Sequence, residues 1–175
     1  LLTVRAAFFG DLYPVRFEAY GLVIQGEIDA LRQAWSRMGD LAILVPSGFW
    51  GILLTYLYGR IVAPEEGVKY LRQLALLFEA EDQCWEQALS LYFLGNLMEI
   101  IITREPGNPS LFVEARQSLS TALSIFIELG DEREVGNTQR ALGNLSHLER
   151  NLRAAIEHWQ AAQRQLVAAG EAALA

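Results

Sequence analysis

His147, His158 and Cys84 are the side chains of this 175-residue chain best suited to nucleophilic or metal chemistry, and they lie badly for either. A metal site or an activated nucleophile needs several such groups converging on one point. The two histidines, eleven residues apart, fall on different predicted helices, and Cys84 has no second thiol. No H-E-x-x-H, G-x-S-x-G, P-loop or G-x-G-x-x-G pattern occurs. Cys84 reads as a small buried hydrophobe near a helix start. His158, one residue before Trp159, reads as facing solvent. Acidic clusters such as Glu65-Glu66 and Glu79, Glu81 and Asp82 sit at predicted helix ends. Glu65 and Glu66 follow Pro64, where carboxylates favour the positive end of a helix. The expectation is a protein without catalysis, metal or cofactor.

Recognition chemistry is better provided for. Asn96 and Asn144 each follow the glycine of an "LGNL" stretch, and an asparagine amide both donates and accepts. Arg140, one turn before Asn144, offers a guanidinium to a carboxylate. Aromatic residues concentrate earlier, in "GFWGILLTYLY" and "LYFLGN". Positioning these groups is the task of the elements around them.

Those elements are helical and repetitive. No strict apolar–polar alternation persists, whereas helical spacing runs throughout. Counting back 4, 8, 11 and 15 residues from Gly170 gives Leu166, Ala162, Trp159 and Ala155, one helix face alternating large and small. The same offsets from Gly130 give Phe126, Ala122, Leu119 and Ala115. From Asp82 they give Phe78, Leu74, Leu71 and Gly67, and from Gly39 they give Trp35, Leu31, Ile28 and Ile24. Thirteen residues after Asp82 comes Gly95, and thirteen after Gly130 comes Gly143, both within "LGNL"; the matching place after Gly39 is Ile52, beside Gly51. Each unit therefore reads as a first helix carrying a small residue, a turn, and a second helix that packs closely upon it. Gly95 and Gly143 are the expected contact points. "TREPGNPSL" (103–111), with Pro106, Gly107 and Pro109, reads as a loop between the helices of the third unit.

Leu142-Gly143 followed by Ala155, Trp159 and Ala162 resembles the tetratricopeptide repeat, a helix–turn–helix unit that stacks in series. The resemblance divides the chain into units of about 10–40, 41–82, 83–131 and 132–171, longer than the usual ~34 residues. It implies an all-α fold: a right-handed superhelical solenoid of antiparallel helix hairpins with about four repeats. Long units of this kind resemble those of bacterial multidomain regulators, often beside an ATPase module. In such arrays the first helix of each unit lines a concave groove. The implied groove residues are Phe49, Ile52 and Tyr56 in the second unit, Tyr92, Phe93, Asn96 and Glu99 in the third, and Arg140, Asn144 and His147 in the fourth. The groove would grade from apolar and aromatic to polar.

Charge narrows the partner. A net charge of −7 disfavours nucleic acid and anionic lipid, both of which demand a basic surface. The run from Leu41 to Tyr58 holds no charged residue and is long enough to raise a membrane span. Pro46 and Ser47 break it with a helix start, leaving a helix from about Pro46 to Gly59. Fourteen residues at about 1.5 Å each fall short of ~30 Å of hydrocarbon. One cysteine fits a cytoplasmic setting. The sequence opens without Met and closes on "AAGEAALA", which reads as a piece of a longer protein. The function expected is a protein- or peptide-binding scaffold or sensor module of a larger regulator. The alternatives are a small-molecule sensor coupled to an ATPase or DNA-binding module, and a self-association domain giving a homo-oligomer.

Overall fold

The computed structural model of the chain describes residues 48–105 and 107–170, apart from the side chains of Trp50 and Leu54. The expected first unit at 10–40, with its end mark Gly39, and the expected helix start at Pro46 lie outside the described residues. Six helices follow in order: α1 (Gly48–Ile61), α2 (Pro64–Ala80), α3 (Cys84–Arg104), α4 (Pro109–Leu129), α5 (Glu132–Leu148) and α6 (Leu152–Ala168). No strand occurs among the described residues. Each helix packs on its neighbour in sequence. In addition α1 touches α3, and α3 touches α5, whereas α2, α4 and α6 make no comparable approach to one another.

Local chemistry explains the boundaries. Pro64 and Pro109 occupy first turns, where the missing N–H costs nothing. Asn108, Asp131 and Asn151 cap α4, α5 and α6, their side-chain oxygens accepting from the amides of Ser110, Glu134 and Ala154. Three helix ends close by one device. The amides of Gln83, Asp131 and Asn151 donate back to the carbonyls of Phe78, Phe126 and Ser146, and the residue before each has a left-handed backbone: Asp82, Gly130 and Arg150, with φ of 55°, 69° and 60°. Asp82 thus holds, without being glycine, the place that glycine holds at residue 130.

The core follows the offset template. Gly67, Leu71, Leu74 and Phe78 are buried on α2, and Ala115, Leu119, Ala122 and Phe126 on α4. On α6 Ala155, Ala162 and Leu166 are buried, but Trp159 keeps 38% of its surface exposed. The expected contact glycines lie where helices meet. A Cβ on Gly95 would come within 2.5 Å of Leu119 Cγ, and one on Gly143 within 2.4 Å of Trp159 Cδ1. In the α1/α2 pair the close approach is elsewhere than expected. Gly51, beside the expected match, has nothing within 4 Å of its Cβ position; Gly59 and Gly67 meet instead, a Cβ on Gly67 reaching 2.6 Å from Gly59 Cα. Three buried hydroxyls are satisfied inside their own helices: Thr55 donates to the Gly51 carbonyl at 2.8 Å, Ser90 to Glu86 at 2.8 Å and Thr138 to Glu134 at 2.7 Å.

Several sequence expectations need correction. The loop between α3 and α4 is shorter than 103–111, because Thr103 and Arg104 end α3 and Pro109 begins α4. Proline is tolerated at a first turn, so Pro109 starts a helix instead of preventing one. Helix α1 runs to Ile61, past Gly59. Cys84 is exposed, not buried, as the first residue of α3. His158 is half-buried, its Nδ1 2.7 Å from Gln139 Oε1. Ile52 has no exposed surface and belongs to the main core, so it cannot line an open groove.

Candidate functional site

The nine other expected groove residues fall on the three helices that touch one another, α1, α3 and α5, and cross-contacts form rungs between those helices. The first rung is aromatic. Phe49, 41% exposed at the start of α1, lies 6.3 Å from the Trp85 ring of α3. Trp85 Nε1 donates to Asp131 Oδ2 at 3.0 Å, and Asp131 is also the cap of α5. One carboxylate thereby fixes a helix start and an indole on the neighbouring helix. Trp85 is absent from the sequence-based set. Its signal was present: it lies seven residues, about two turns, before Tyr92 on the same helix.

Two turns along α1 from Phe49 comes the second rung. Tyr56 stacks on Phe93 with ring centroids 4.3 Å apart and planes 18° from parallel. Phe93 in turn lies 5.1 Å from Tyr92. Stacked and tilted pairs at these separations are favourable beyond their buried area. Burial raises the pKa of the Tyr92 phenol, the hydrogen bond with Asn96 and the charge of Arg140 opposing, with Glu134 adding to the rise. Charges on α5 therefore reach an aromatic ring on α3. Arg140 is exposed and donates to Asn137 Oδ1 at 3.2 Å.

The third rung is polar. Burial raises the carboxyl pKa of Glu99 on α3, and a hydrogen bond with the Asn144 side chain on α5 works against that rise. Asn144 Oδ1 accepts from Trp159 Nε1 of α6 at 3.2 Å, and His147 lies 5.9 Å from the Trp159 ring. The two asparagines that look equivalent in sequence are used differently. Asn96 donates to the Tyr92 carbonyl one turn back at 3.0 Å, staying on its own helix, whereas Asn144 spans three helices.

A separate depression of about 230 Å³ lies between α2, α3 and α4, lined by Arg72, Leu76, Gln87, Leu91, Glu114 and Thr121 among others. Arg72 and Glu114 bridge across it at 2.7 Å. It includes none of the rung residues. Among the described residues no three His, Cys, Asp or Glu side chains gather in a way that could hold a metal ion. Nor is any described helix long and apolar enough to cross a membrane. No family model matches the chain, and no curated protein matches it.

Proposed function

We propose that the chain is a non-catalytic binding module whose ligand is an extended peptide or protein segment lying across α1, α3 and α5. In this reading the helix pairs form a right-handed solenoid of the tetratricopeptide type. The first helix of each pair lines its inner side, because α1, α3 and α5 pack in series while α2, α4 and α6 approach one another less closely. A single observation carries the function: an aromatic strip at one end of this surface passes directly into a polar cluster at the other. Tyr56, Phe93 and Tyr92 would take an apolar side chain of the ligand. Arg140, Asn144 and Glu99 would hold backbone amides or a carboxylate beside it. Phe49, 41% exposed and set against Trp85, extends the aromatic end of the strip. A scaffold or sensor within a larger, cytoplasmic bacterial regulator is the setting proposed for such a module.

The test is selection of peptides from a displayed random library on the immobilised chain, followed by titration against variants. Phe49→Ser and Arg140→Ala change exposed side chains of the strip and should each weaken the selected peptides by tenfold or more, with helicity unchanged. Gln117→Ala, at an exposed position of α4, should leave affinity alone. Selected peptides that bind both groove variants at parental strength would place recognition elsewhere and end this reading.

A further inference from the structure

The repeat that sets the core also relates the depression between α2, α3 and α4 to a second place in the chain. Asp82 corresponds to Gly130, Gly95 to Gly143, and Gly130 to Gly170. By the same steps Leu91 on α3 corresponds to Gln139 on α5, and Ser118 on α4 corresponds to His158 on α6. The later pair is in contact: His158 Nδ1 lies 2.7 Å from Gln139 Oε1, so an imidazole of the chain itself bridges α6 to α5. In the earlier pair a serine and a leucine stand in those places, and both line the depression of about 230 Å³. Ser118 is too short to do what His158 does, and Leu91 offers nothing to bond.

Ser118 is unusual in a second way. Five hydroxyl side chains are buried among the described residues: Thr55, Ser90, Ser118, Thr138 and Ser146. Thr55, Ser90 and Thr138 donate to carbonyls one turn back, and Ser146 accepts from Arg116. Ser118, only 6% exposed, has no hydrogen-bond partner among the described residues. A buried hydroxyl left unpaired is costly, and such groups call for a partner. Around it Ala75, Leu91 and Leu94 make apolar walls. At the edge Arg72 donates through Nε and Nη2 to one oxygen of Glu114, at 2.9 and 2.7 Å, so these two charges answer each other.

We propose that this depression is a binding site, separate from the α1, α3 and α5 surface, for a small, flat, uncharged heterocycle that accepts a hydrogen bond from the Ser118 hydroxyl. The ligand takes the place that the His158 ring takes one unit further on. Its ring faces are covered by the apolar walls, which favours burial of carbon surface. Its acceptor atom satisfies the one buried hydroxyl that the chain leaves unpaired. It carries no charge, because the Arg72 guanidinium is already answered by Glu114. It is also small, since pockets for drug-sized ligands begin near ~300 Å³ and this one is below that.

Titration of the 175-residue chain with benzimidazole in its neutral form, followed by amide chemical shifts, tests this. Benzimidazole has a ring nitrogen that accepts; indole has the same shape and lacks that acceptor. Benzimidazole should bind at millimolar concentration or below and shift amides of α2, α3 and α4 around Ser118. Indole should bind about fivefold more weakly or worse. Ser118→Ala keeps the space and removes the donor, and should weaken benzimidazole by a similar factor while leaving indole unchanged. Ser118→His/Leu91→Gln copies the later pair into the depression and should abolish binding of both compounds. Gln163→Ala, at an exposed position of α6, should bind as the parent does. The proposal fails if neither compound shifts those amides. It fails equally if indole matches benzimidazole, or if Ser118→Ala binds benzimidazole at parental strength; these two results decide even where the double variant does not fold. A folded double variant that still binds would also overturn it.

Discussion

Glu99 and His158 are titratable groups whose surroundings push them in opposite directions. Burial raises the Glu99 pKa, so the native chain holds that proton more tightly than the unfolded chain does. Its effect on stability is most favourable below the ordinary carboxylate pKa, near 4.3, and fades as pH rises through the raised value. Glu99→Gln keeps an amide in hydrogen-bonding reach of Asn144 and removes the buried charge. The variant should melt at or above the parent temperature at neutral pH and lose this part of the parent's slope in mildly acidic solution. A clear drop in melting temperature at neutral pH would show that the ionised carboxylate contributes more than its burial costs. For His158, burial comes first and the Arg116 charge second, and both lower the pKa against the pull of Glu157. The native state therefore favours the neutral ring. Stability is whole above the ordinary imidazole pKa, near 6.5, and is lost as pH falls through the lowered value. Replacing His158 by Gln should remove that loss, as read from melting temperature against pH. Neither behaviour was legible in the sequence. The position of His158 beside Trp159 points to solvent, but Gln139 on α5 meets it. The small apolar character of Cys84 points to the core, yet its first-turn position leaves it exposed. Sequence spacing fixes which face a residue shares, and says little about where a long side chain on the neighbouring helix will end.

At the scale of the helix pair the spacing was far more informative. Eleven of the twelve described residues given by the offset template are buried, and Gly95 and Gly143 meet large side chains as expected. The failures share a physical cause. In α1 the apolar residues run all round the helix, so no face was marked and the contact was set beside Gly51; the backbones approach at Gly59 and Gly67. The same absence of contrast sent Ile52 to the groove although it belongs to the core. Substitutions should separate these sites. Gly143→Leu must displace the Trp159 indole and Gly95→Leu the Leu119 side chain, each lowering stability by about 1–3 kcal/mol through overpacking. Gly67→Ala meets backbone, the Cα of Gly59, which cannot rotate away, so even one methyl should lower the melting temperature. Asp131 carries a different role. Asp131→Ala removes both the cap of α5 and the acceptor for Trp85, and should cost about 1–2 kcal/mol from the cap alone. Asp131→Asn retains an oxygen for the capped amide and should recover most of it. Chemical denaturation of the five variants would rank them.

The whole molecule adds a question that no single pair answers: how far a disturbance travels. Each described helix packs mainly on its sequence neighbours, and no extensive contact joins α1 or α2 to α6. In such an arrangement stability is close to a sum of unit and nearest-neighbour contributions, so cooperativity decays with distance along the stack. Polar side-chain links between pairs include Trp85 to Asp131, Arg72 to Glu114, and Arg116 to Glu149, beside the packing of α2 on α3 and of α4 on α5. The expectation differs for the two glycines of "LGNL". Gly143 lies in the last described pair, and its disturbance reaches the rest chiefly through the α4/α5 contact. Gly95 lies in the central pair, with neighbours on both sides. Native-state hydrogen exchange of Gly143→Leu should therefore show α5 and α6 losing protection while α1 and α2 keep the parent's rates. Gly95→Leu should lower protection in all six helices together. Equal loss throughout in Gly143→Leu would mean that the six helices fold as one closed unit. Sequence-order packing would then be a matter of geometry alone, without the local energetics that a stack of repeats implies.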